Sequence, residues 1–289
     1  MKNFKISPAD VFWKKASGKR VCVLKAGDVL NENLLGKFSS LSIESLVEQK
    51  LVNELSDLFL ELDKCQFEHE RIVIYDQIIF ILRPIYWSGE ESGSVMSLIH
   101  ALTMTFYTVP NEIELTLKES SVDIYRRCFL YASLFTVYSF TLGHLSFESL
   151  KRIFNSVFYF EYELCKEGLK ASDVEVFKNP SLLTQEHKEM LKVILVRTSE
   201  KFSEPLIKIH REDIAAESGV FGLNGDEMTS LERLCCSLHQ KLKMENLNFK
   251  SDDGKSYLQG MLGYLKLDKR TSQLITDSFI LEEEMKEGA

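Results

Sequence analysis

The sequence has no Cys-x-x-Cys pair, no excess of basic charge and no apolar stretch near its start, and each absence excludes something. Its six cysteines, Cys22, Cys65, Cys128, Cys165, Cys235 and Cys236, are mostly set in apolar runs such as Arg126 to Ala132 and Arg233 to His239. There a free thiol behaves as a small buried apolar residue. A disulfide framework and a cysteine-based zinc site are therefore not expected, and the expected compartment is reducing and cytoplasmic. The 289 residues carry 35 Lys and Arg against 43 Asp and Glu, a formal net charge of -8. That balance argues against nucleic acid or anionic lipid as a general partner. Met1 to Lys15 alternates charge with aromatics and has no apolar segment of signal-peptide type. The longest uncharged stretch, Cys128 to Phe147, is rich in Ser, Thr, Tyr and Phe. A membrane span is usually more uniformly aliphatic, so the stretch reads as a buried core helix, without membrane insertion.

With 45% apolar and 27% charged residues, the chain can bury a core without props. Arg20 to Leu24 is compact and β-branched, and turn signals flank it at Ala16 to Lys19 and Lys25 to Asp28. A hairpin around Gly18 is predicted. From Ser42 to Leu62, apolar residues recur every three or four positions, predicting a helix. Arg71 to Trp87 is very apolar, and periodicity leaves helix and strand both open. Ser88 to Gly93 reads as a linker.

Beyond Ser94 helical spacing dominates: Val95 to Phe106, Ile124 to Leu142, and Phe147 to Cys165. Thr184 is placed to cap a helix running through Leu195. Ser218 to Gly225, with three glycines, reads as a loop, followed by a helix from Asp226 or Thr229 to Leu242. Further helices are predicted over Tyr257 to Leu262 and Leu274 to Leu281, then a frayed tail. The expected organisation is an N-terminal β-containing module with its connecting helix over 1–90 and a helical domain over 94–289. The fold class is mainly α with a small N-terminal α+β module.

Three short segments carry a family resemblance. Asn179-Pro-Ser-Leu-Leu-Thr-Gln-Glu-His187, Ile209-His-Arg-Glu212 and Phe221-Gly-Leu-Asn-Gly-Asp-Glu-Met228 stand in the order and spacing of motifs from HD-GYP domains. The chain resembles that family from about residue 120 to its end. Lys19 to Asp28 resembles a small β module often found before such domains.

The resemblance implies an HD-GYP-like helical bundle. In the family it holds two or three metal ions that activate water to hydrolyse cyclic di-GMP. It also implies where the ligands would fall. The first family histidine falls near Arg127, and the His-Asp pair at Phe160 and Glu161. The next histidine falls at Ile194, the His-His pair at His210 and Arg211, and the last aspartate at His239. The Gly-Tyr-Pro loop falls at Ser218, Gly219 and Val220. Arg127, Phe160, Ile194 and Arg211 cannot ligate a metal, and no His-Asp dipeptide occurs anywhere in the sequence.

The expectation is thus a degenerate, non-catalytic relative with no cofactor, in which Arg127 or Arg211 supplies the charge a metal would bring. Its implied role is regulatory or scaffolding in bacterial signalling. The partners would be signalling proteins, diguanylate cyclase-type domains among them, or a second copy as a homodimer. Two alternatives stay open. One is a phosphodiesterase with a rebuilt metal site on Glu161, His210 and His239. The other is a sensor that binds cyclic di-GMP without cleaving it. His69 and His187 are expected at the surface, and His100 and His144 in core or capping roles. The Gly222 to Gly225 loop lacks the Lys and Ser/Thr of a phosphate loop and reads as a turn into a helix.

Overall fold

A computed structural model describes residues 6–7, 11–14, 17–25, 27–29, 43–44, 49–87, 92–167, 183–212 and 219–242. The expected helices over 257–281, the tail, Ser218 and most of the loop before Thr184 lie outside them. Strands β1 (Val11–Lys14) and β2 (Arg20–Leu24) pair antiparallel, with a register shift between Val11 and Phe12. Gly18 turns the chain between them at φ 81°, a backbone that favours glycine. A short third strand, β3 (Ile43–Glu44), pairs with the other side of β1, giving the order β2-β1-β3. The helix predicted from Ser42 therefore starts later, at Gln49. Ile43 has helical spacing to the leucines beyond it, but pairing opposite Trp13 takes it into the sheet.

Helices α1 (Gln49–Lys64), α2 (Glu68–Trp87) and α3 (Ser92–Phe106) follow. The segment left open between helix and strand is α2. Its buried residues Ile74, Ile78, Leu82 and Ile85 recur every three or four positions, and Glu68 and Glu70 sit in its first turn, where acids favour a helix. Of the predicted linker, Ser92 and Gly93 belong to α3. In this part of the chain Leu55, Phe59 and Leu62 of α1 are buried, as are Leu98, Leu102 and Phe106 of α3. Phe59 meets Phe106 edge to face at 5.1 Å.

The described residues divide into two compact units between Phe106 and Tyr107. The second unit opens with α4 (Asn111–Ser120), α5 (Val122–Thr141) and α6 (Phe147–Lys166). It continues with α7 (Gln185–Phe202), the single turn α8 (Leu206–Ile209), a 3-10 turn at Gly225–Glu227 and α9 (Ser230–Lys241). The uncharged stretch forms most of α5, and every residue of α5 except Val122, Asp123 and Arg126 is buried. A helix apolar on all sides needs neighbours on all sides, and α4, α6 and α9 pack against it. Among the described residues no helix is long and apolar enough to cross a membrane.

The helix starts are local and legible. The Ser121 hydroxyl accepts from the Ile124 amide at the head of α5. Thr184 accepts from the His187 amide while the His187 ring accepts from the Thr184 amide, which fixes the start of α7. Thr229 and Glu232 form the same reciprocal pair at α9. His187 thus has a capping role. An aromatic layer of Tyr107, Tyr125, Phe129 and Phe158, all ring to ring, locks α5 onto α6.

Candidate functional site

Four elements converge behind that layer. Helix α5 brings Arg127, α6 brings Phe160 and Glu161, the turn after α8 brings His210 and Arg211, and α9 brings His239. Each is essentially sealed from solvent. Arg127 Nη1 donates to Glu161 Oε1 at 3.0 Å, and Arg211 Nη2 donates to Glu161 Oε2 at 3.1 Å. Each carboxylate oxygen thus has its own guanidinium.

Arg127 does a second job. Its Nε donates to the Leu242 carbonyl at 3.0 Å and its Nη2 to the His239 carbonyl at 3.2 Å. Those carbonyls close α9, where a cation also meets the negative end of the helix dipole. Tyr131, one turn along α5, donates to the Cys235 carbonyl at 2.7 Å and ties the same two helices together.

His210 is neutral. Burial pushes His210 well below its ordinary range, and the nearby Arg211 cation pushes in the same direction. His210 Nδ1 donates to the Ile207 carbonyl at 2.7 Å, which leaves Nε2 unprotonated and without a hydrogen bond among the described residues. The ring stacks on Phe160, centroids 4.3 Å apart and planes 12° from parallel, and meets His239 edge to face at 4.8 Å. Arg127 Nη2 lies 3.3 Å from His239 Nδ1, so that nitrogen accepts and the proton sits on Nε2. Burial lowers the affinity of Arg211 for its proton, the Arg127 cation adds to it, and Glu161 opposes both.

Among the described residues, Glu161, His210 and His239 are the one group whose donor atoms could converge on a metal, all within 4.8 Å of one another. Of the ring nitrogens only His210 Nε2 offers a lone pair without a hydrogen bond among the described residues. Both Glu161 oxygens hold guanidinium groups, and His239 Nδ1 accepts from Arg127. A divalent ion would also stand beside two fixed cations. These residues do not fit a metal, and still less a two-metal clamp. Nor do the buried thiols offer a nucleophile. Burial pushes Cys165 up to about 12 and raises Cys128 and Cys235 well above the ordinary thiol range, so they stay protonated at neutral pH.

Of the positions singled out in the sequence, Arg127, Phe160, Glu161, His210, Arg211 and His239 come together. Ile194 is buried on α7 and offers only an alkyl group. Gly219 and Val220 are buried at the start of the glycine loop. That loop hangs on Glu212, whose role the sequence does not announce. Its buried carboxylate accepts from the amides of Phe221 at 2.7 Å and Leu223 at 2.9 Å. The one signal was its place directly after His210 and Arg211. His100 is buried, as expected of a core histidine, and burial lowers it to about 4.

No protein-family model, curated protein or solved structure matches the chain.

Proposed function

We propose that this chain is a non-catalytic regulatory or scaffolding protein of bacterial signalling, built on an HD-GYP-like helical domain whose metal centre has been replaced by arginine. The observation that carries the reading is the double ion pair of Glu161 with Arg127 and Arg211. Where the resemblance calls for metal ions on carboxylate and imidazole, this chain supplies two guanidinium groups that satisfy the same carboxylate. Phe160, in the position of a metal-binding histidine, fills its space by stacking on His210. A site so occupied holds the bundle together and has no place for an activated water. The implied partners are other signalling proteins, diguanylate cyclase-type domains among them.

The same pairing counts against a cyclic di-GMP sensor at this position. Arg127 and Arg211 are buried and committed to Glu161, so neither is free to meet a phosphate. The test is incubation of the chain with cyclic di-GMP in the presence of manganese or iron, followed by product analysis, together with binding to a purified diguanylate cyclase domain. The reading expects no hydrolysis, no thermal stabilisation by the nucleotide and measurable binding of the domain. Hydrolysis restores the enzyme reading, and nucleotide-dependent stabilisation the sensor reading.

A further inference from the structure

We draw no further inference here: the strongest candidate, the exposed apolar face that Val73 and Phe80 of α2 present beside the groove between α1 and α2, carries nothing because nothing in the structure shows what covers it.

Discussion

Arg127 and Glu161 lie 3.0 Å apart with about 1% and 2% of their side chains exposed, and Arg211 takes the other oxygen of the same carboxylate. Three formal charges are thus held where water does not reach. Removing the central one is the severe change, because two guanidinium groups are then left facing each other without compensation. Glu161→Gln should cost about 3–5 kcal/mol of unfolding free energy, the usual cost of breaking a buried pair. Urea denaturation measures it. A combined Arg127→Met, Glu161→Leu, Arg211→Met variant should recover much of that loss, since no buried charge is left unpaired.

Stability should fall in mild acid. His210 and His100 both have their affinity for protons lowered in the folded state, His210 by burial and then Arg211, His100 by burial. The unfolded chain, with ordinary imidazoles, binds more protons. Stability from these groups is therefore complete above about pH 6.5 and declines below it, by up to about 1.4 kcal/mol per pH unit for each histidine. His100 stops contributing to the slope near pH 4, where its folded form also titrates. Denaturation midpoints between pH 8 and pH 5 test this, and His210→Phe should flatten the slope.

Glu212→Ala should loosen the glycine loop without unfolding the bundle. The amides of Phe221 and Leu223 lose their acceptor. Hydrogen exchange at these two amides should accelerate well beyond that of α5 and α6. Uniform acceleration across the unit would mean that Glu212 supports the fold rather than the loop.

Thr229→Ala should cost about 1 kcal/mol by removing the acceptor for the Glu232 amide at the head of α9. Tyr131→Phe should cost a similar amount, about 1 kcal/mol, by removing the hydrogen bond from α5 to the Cys235 carbonyl. Thermal melts read both effects.

Much of the helical part was legible because capping residues and periodic apolar faces are local. Thr184 and Thr229 announce their helices, and the uncharged run of α5 is unusual enough to mark a core helix. Ile43 was misread because its strand pairing with Trp13 is long-range. The character of α2 stayed open because a nearly all-apolar segment has no period to read. The convergence of Arg127, Glu161, His210, Arg211 and His239 was suggested by a resemblance, not by spacing, since more than a hundred residues separate Arg127 from His239 in the sequence. The helix-closing role of Arg127 and the loop anchor Glu212 involve backbone partners, which no side-chain pattern records.

The central claim is that arginine has taken the place of metal in the second unit. Elemental analysis of the full chain, purified without chelator or metal-affinity resin, tests it most directly. The account predicts iron, manganese and zinc all far below one atom per chain, and no gain in thermal stability on adding them. A near-stoichiometric metal that is lost in a His210→Ala variant would contradict it.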